Sequence, residues 1–228
     1  MLIAAANSGS HGKGTRMRLR TRASNALAGE IIPPGDKSIT HRAILMAAMA
    51  KGESRISHPL ISGVTMTMLS AIRQLGADWA VNGDELVITS PGIQSFVQPG
   101  MPLDCGNSAT TMRLLAGCLA ASGIGAVLDG SESLRRRPME RIVNPLRRMG
   151  VKIEAEPTGT APLTIHERRP GERLLGTEYH SAVASAQVKS CVLLAGLAAR
   201  EPVTYHEPVL SRNHTELMFK SLGIQIET

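Results

Sequence analysis

A repeated order of helix, strand, helix and strands predicts an α/β domain, and three observations carry that prediction. Amphipathic helices ending at Gly76, Gly150 and Gly223 recur at intervals of 74 and 73 residues (from 76 to 150, and from 150 to 223). A helix of small residues precedes each of them. The composition, 43% hydrophobic and 19% charged over 228 residues, suits a globular chain with an ample core. With aromatics at 2% and 11 methionines, that core must be aliphatic.

The first unit opens on Pro34-Gly35-Asp36-Lys37-Ser38-Ile39-Thr40-His41-Arg42. A proline-glycine turn and Asp/Ser capping chemistry run into an apolar stretch from Ala43 to Ala50, which predicts a helix over 38–50. A helix start carries unpaired N–H groups and partial positive charge, and so favours anions. Lys37 adds a cation and Ser38 a hydroxyl, and Arg42, four residues on, shares the face of Ser38. Two readings fit: a phosphate- or carboxylate-binding helix start, or a capped helix with solvated charges. His41 reads as a satisfied surface histidine. A strand over 54–57 follows, then an amphipathic helix over 67–76 and strands over 77–81 and 85–89. Gly76 suits a left-handed C-cap.

The second unit repeats the order, with helices over 109–121 and 139–150 and strands over 126–129, 151–155 and 162–166. The third has helices over 186–199 and 214–223 and strands over 203–206 and 224–227. Its last strand would lie beyond Thr228, so the third repeat is expected to be incomplete and the chain to be part of something longer. The repeats span about 36–100, 106–170 and 180–228. The helix starts also repeat chemically: Arg42 follows Ser38, Arg113 follows Ala109 and Lys189 follows Ser185, each by four residues. If the fold gathers these starts, their dipoles and cations converge on one anionic ligand. The alternative places each cation at the solvated mouth of its own unit.

The formal net charge is +6. Lys13, Arg16, Arg18, Arg20 and Arg22 all precede the first acid, Glu30, so residues 1–28 read as a basic flexible leader before a domain over 29–228. No window approaches the roughly 18–20 apolar residues of a membrane span. Cys105, Cys118 and Cys191 are odd in number and lack metal-ligand spacing, which points to a reducing cytoplasm and no metal. Few aromatic faces are available for stacking bases, which weighs against a basic module binding single-stranded nucleic acid.

Four motifs, in this order, resemble the 5-enolpyruvylshikimate-3-phosphate (EPSP) synthase family. They are the stretch from Pro34 to Arg42, Gly106-Asn107-Ser108-Ala109-Thr110-Thr111-Met112-Arg113-Leu114, Asp129-Gly130-Ser131-Glu132-Ser133-Leu134-Arg135-Arg136-Arg137-Pro138-Met139, and Ser185-Ala186-Gln187-Val188-Lys189-Ser190. The resemblance covers about 30–228, the amino-terminal half of a family member. It implies an enolpyruvyl-transferase-like domain of three helix-and-sheet repeats with helices packed inside. It also implies transfer of the enolpyruvyl group of phosphoenolpyruvate to shikimate 3-phosphate, in the shikimate pathway to chorismate and the aromatic amino acids, with no cofactor.

Carried over by motif position, Lys37 is the catalytic lysine that meets both substrates. Ser38, Arg42, Ser185, Ala186, Gln187 and Arg212 are implied to hold shikimate 3-phosphate, with Ser211 an alternative to Arg212. Asn107, Ala109 and Arg137 are implied on the phosphoenolpyruvate side, Asn107 serving as ligand contact or helix cap. Arg135 and Arg136 read as a solvated basic run. The general acid–base carboxylates and further cations of the family lie in a carboxy-terminal domain, so this chain alone is expected to be inactive without its missing partner half. Ala109 stands where many members carry Gly, and members with Ala there commonly resist glyphosate. The alternative is a neutral exchange that favours the helix by up to ~1 kcal/mol. Ser62-Gly63-Val64 departs from the family pattern, in which relatives often carry one or two Asp in that loop. The nearest rival is a UDP-N-acetylglucosamine enolpyruvyl transferase, disfavoured by Lys37-Ser38 and Ser185-Ala186-Gln187.

Overall fold

The computed structural model describes Arg20 and residues 28–228. Contacts divide the chain at Pro33, and the described residues before that point contain no helix or strand. The basic leader expected over 1–28 lies outside the described residues apart from Arg20 and Ala28.

From Pro34 the chain runs through α1 (Lys37–Met49), β1 (Lys51–Ser57), α2 (Gly63–Gln74), β2 (Asp78–Asn82), β3 (Glu85–Pro91), β4 (Leu103–Asp104), α3 (Ala109–Ser122), β5 (Ala126–Asp129), α4 (Glu132–Arg135), α5 (Glu140–Arg148), β6 (Ile153–Ala155), β7 (Leu163–Ile165), β8 (Thr177–His180), α6 (Ala186–Gly196), β9 (Val203–His206) and α7 (His214–Ser221). The first sheet is antiparallel, in the order β1-β3-β2. The second repeats that order as β5-β7-β6 and adds β4 parallel to β5. In the third unit β8 pairs parallel with β9. A parallel pair needs a crossover, and α3 and α6 supply it for β4/β5 and β8/β9.

The helices of small residues lie inside. Every residue of α3 from Ala109 to Ala121 is buried, the apolar ones in the core and Thr110, Thr111 and Arg113 with hydrogen-bond partners, and α1 and α6 pack on it. Gly117 explains how closely α6 approaches: a Cβ there would sit 2.4 Å from the Cys191 carbonyl oxygen and 2.9 Å from its Cα.

The sequence misplaces some elements. Residues 224–227 form no strand. Ile224 and Ile226 instead pack half-buried against the core, with no ladder partner among the described residues. Helix α2 begins at Gly63 rather than 67, because Thr65 Oγ1 accepts the Ser62 N–H at 2.9 Å and donates to the Leu60 carbonyl at 2.7 Å. Ser62-Gly63-Val64 is therefore a helix start and not a loop. The short β4, α4 and β8 are missed because two to four residues carry too little periodicity to read. The three cysteines are unpaired and buried. No helix among the described residues is long and apolar enough to cross a membrane.

Candidate active site

The three inner helices start in one way. Asp36 Oδ1 accepts from Ile39 N at 2.8 Å, Ser108 Oγ from Thr111 N at 3.1 Å and Ser185 Oγ from Val188 N at 3.5 Å. Each cap satisfies the third helical amide, and the Asp36 carboxylate also draws the Ser38 amide; the amides of Lys37, Ala109, Thr110, Ala186 and Gln187 have no partner among the described residues. Ser108 thus takes the cap that the sequence also allowed for Asn107. Asn107 Oδ1 instead accepts from Arg137 Nη2 at 3.0 Å.

A ring of hydrogen bonds joins these starts. Arg42 Nη2 on α1 donates to the Ala186 carbonyl of α6 at 3.2 Å. Gln187 Nε2 on α6 donates to Thr110 Oγ1 of α3 at 2.9 Å. Ser108 Oγ of α3 lies 3.4 Å from His41 Nε2 of α1. Arg212, in the loop before α7, reaches Ser38 Oγ through Nη1 at 3.4 Å. The three helix starts therefore adjoin, and five unpaired amides belong to one neighbourhood.

The cations around these starts divide by environment. Lys37 and Arg212 are exposed and Arg137 is half-buried. Among the described residues none of the three forms an ion pair with a carboxylate. The cations at the fourth position after each start, in contrast, serve the scaffold. Lys189 sits between Glu207 and Glu216 at 2.9 and 2.7 Å, with side-chain exposures of 8–10%. Burial disfavours its charge, but bonds and charges from the two carboxylates outweigh that and raise its pKa. It is not a free cation at a convergent site. Arg113 donates to Gln187 Oε1 at 2.5 Å and to the Pro138 carbonyl at 3.0 Å, and its Nε is buried without a partner among the described residues. Burial, then the nearby Arg141 and Arg137, bring its pKa down to about 10.

Arg42 is only 3% exposed. Its Nε donates to Thr215 Oγ1 at 2.8 Å, Nη1 to the Ser38 carbonyl at 3.0 Å, and Nη2 to Ser190 Oγ at 2.7 Å as well as to Ala186. Of its five N–H hydrogens, one on Nη1 remains uncommitted among the described residues. No spacing rule could pair it with Thr215, 173 residues away. His41 is not at the surface: it is fully buried, with Nδ1 2.7 Å from the Lys37 carbonyl and Nε2 3.1 Å from the Val64 carbonyl. Ser211 donates from backbone and hydroxyl to Glu207 at 2.8 and 2.6 Å, which leaves Arg212 as the side chain facing Ser38. Arg135 pairs with Asp129 and Arg136 with Glu132, as suits a solvated basic run. Ala109 is the first residue of α3 and is 5% exposed.

Gly35 and Gly106 hold the loops ahead of two of the starts. A Cβ on Gly35 would fall 2.2 Å from the His58 carbonyl oxygen, and Gly106 has φ +54°.

The model of the EPSP synthase (3-phosphoshikimate 1-carboxyvinyltransferase) family matches residues 21–228. The chain belongs to the EPSP synthase family. It is 47% identical over 206 residues to a 3-phosphoshikimate 1-carboxyvinyltransferase of Coxiella burnetii (strain CbuG_Q212), covering 90% of this chain and 46% of that protein. A protein of the same name from Staphylococcus aureus (strain Newman) is 46% identical over 204 residues, with the same coverage. Among solved structures, EPSP synthase from Acinetobacter baumannii superposes with a TM-score of 0.83 at 39% identity, over 88% of this chain and 45% of that one. The chain thus spans about half the length of the EPSP synthases it matches. Its helix-inside α/β architecture is that of the family.

Proposed function

We propose that this chain forms one wall of an EPSP synthase active site, in the amino-terminal half of such an enzyme. In that reaction the 5-hydroxyl of shikimate 3-phosphate adds to C2 of phosphoenolpyruvate while C3 takes up a proton. The tetrahedral adduct then loses a C3 proton and inorganic phosphate, leaving the enolpyruvyl ether. One observation carries the reading: five unpaired helix-start amides in one neighbourhood, flanked by Lys37, Arg137 and Arg212. Both substrates are anions, and such an array stabilises phosphate and carboxylate groups without reorganising.

Lys37 meets both substrates and neutralises charge where bonds change. Ser38, Ser185, the Ala186 amide and Arg212 hold shikimate 3-phosphate, with Gln187 set beside the ring by Thr110 and Arg113. Arg42 acts from beneath, through its one remaining N–H and its hold on the Ala186 and Ser38 carbonyls. Arg137 and Asn107 receive phosphoenolpyruvate, since a planar guanidinium binds phosphate or carboxylate with two prongs. Ala109 narrows that side by one methyl, which makes the enzyme glyphosate-tolerant. The general acid and base come from the other half, so this chain supplies positioning and electrostatic stabilisation and is inactive alone. The unpaired thiols support a reducing compartment, the cytoplasm.

Phosphate release tests the reading. The 228-residue chain alone should release none from the two substrates, and adding a complementary carboxy-terminal half should restore turnover. In the completed enzyme Lys37→Met should lower kcat/KM by at least about 10²-fold. Turnover by the chain alone would overturn the division of labour. Use of UDP-N-acetylglucosamine in place of shikimate 3-phosphate would overturn the substrate. Ala109→Gly should sharpen glyphosate inhibition, and unchanged sensitivity would defeat the steric argument.

A further inference from the structure

The β8/β9 ladder gathers a second set of chemical groups whose role does not depend on the enolpyruvyl-transfer reading. His180 and His206 are register partners at the ends of the two strands. Glu178 lies two residues before His180, and a strand's period of two puts both on one face. The intervening pair, Tyr179 and Tyr205, stacks with ring centroids 5.9 Å apart. We propose that Glu178, His180 and His206 bind a first-row transition-metal dication of the Zn²⁺, Ni²⁺ and Cu²⁺ class.

The three side chains lie within reach of one ion. The imidazole rings now stack face to face, parallel to within 4° with centroids 4.2 Å apart, so at least one must turn about its Cβ–Cγ bond before both in-plane nitrogen lone pairs meet at the ion. One carboxylate oxygen of Glu178 reaches both, 3.0 Å from His206 Nε2 and 3.4 Å from His180 Nε2. One ligand atom from each residue falls within 4.8 Å of the other two. Metal–ligand bonds of about 2.0–2.2 Å place neighbouring ligands of a tetrahedral ion roughly 3.3 Å apart. The carboxylate-to-imidazole separations already match that spacing. Side-chain exposures of 47% to 71% leave room for that ring rotation and for water in the remaining positions.

The donor set also selects the ion. Two imidazoles and one carboxylate suit zinc, nickel and copper, whereas magnesium and calcium demand oxygen ligands. As a plain surface ion-pair cluster, the three side chains would contribute little to the fold. Position gives the site a consequence. The chain leaves His180 toward Ser185 and leaves His206 toward Arg212, and the Ser181 N–H donates to the His206 carbonyl at 2.9 Å. A bound ion would tie together the two strand ends from which those loops spring.

Calorimetric titration of the full 228-residue chain with each metal chloride tests this, with far-UV circular dichroism confirming the fold of every variant. Wild type should bind one ion, with Cu²⁺ tightest, then Ni²⁺ and Zn²⁺, and no Mg²⁺. His180→Ala and His206→Ala should each weaken Zn²⁺ at least about tenfold, Glu178→Gln should weaken it also, and the control His166→Ala should leave it unchanged. Unaltered Zn²⁺ affinity in the folded double variant H180A/H206A, or no saturable binding in wild type, would overturn the site.

Discussion

At residue scale, His41 sits fully buried where α1 meets the starts of α2 and α3. Burial, opposed in part by its two carbonyl partners, lowers its pKa from 6.5. Stability from this group is therefore complete above about pH 6.5. It is lost as pH falls toward the folded-state pKa, because the unfolded chain gains a proton that the folded chain refuses. The loss cannot exceed ~1.4 kcal/mol per pH unit. Urea midpoints at pH 7.5 and 5.5 should differ more for wild type than for His41→Gln, and equal differences would remove His41 as the cause. Lys189 gives a second prediction. Lys189→Met leaves Glu207 and Glu216 buried without their cation and should cost about 3–5 kcal/mol at pH 7 by chemical denaturation. The raised Lys189 pKa contributes stability below 10.5, lost as pH rises through its folded value. The lowered Glu207 pKa contributes above 4.5, lost as pH falls through its own. Stabilisation by Lys189→Met would show that the pair is not what ties α6 to α7.

At element scale, the closest packing is that of α3 on α6. The atoms that a methyl on Gly117 would meet are backbone and cannot rotate away. Gly117→Ala should therefore destabilise by about 1–3 kcal/mol, although Ala is the better helix former by up to ~1 kcal/mol. A urea midpoint that rises would show that the crossing has slack. The same change should loosen the Gln187–Thr110 bond, which spans these two helices. Most of these helices were legible because cap, apolar run and terminal glycine agree. The two-residue β4 and the start of α2 were not, because a ladder partner or a back-bonding Thr65 decides them.

At the scale of the whole molecule, one start repeated three times gathers its unpaired amides into one neighbourhood. Its integrity depends on long-range bonds, so loosening one of them should act together on several residues proposed to hold the same substrate. Thr215→Val removes the Arg42 Nε partner and should weaken shikimate 3-phosphate binding in the completed enzyme about tenfold, with little change in the KM for phosphoenolpyruvate. An equal effect on both substrates would mean that Arg42 steadies the entire array.

The sequence by itself determined the repeat, the family motifs and the residue types at each helix start, because caps, periodicity and turn chemistry act within a few residues. The opening stretch from Pro34 to Arg42 was legible as a capped helix start in this way. Only the tertiary structure decided which cations remain free. Among the described residues Lys37, Arg137 and Arg212 form no ion pair with a carboxylate, while Lys189 is taken by Glu207 and Glu216, and Arg42 and Arg113 are turned inward. Whether a charge faces a ligand or holds a helix depends on partners tens to hundreds of residues away and on burial, and neither is written in local spacing.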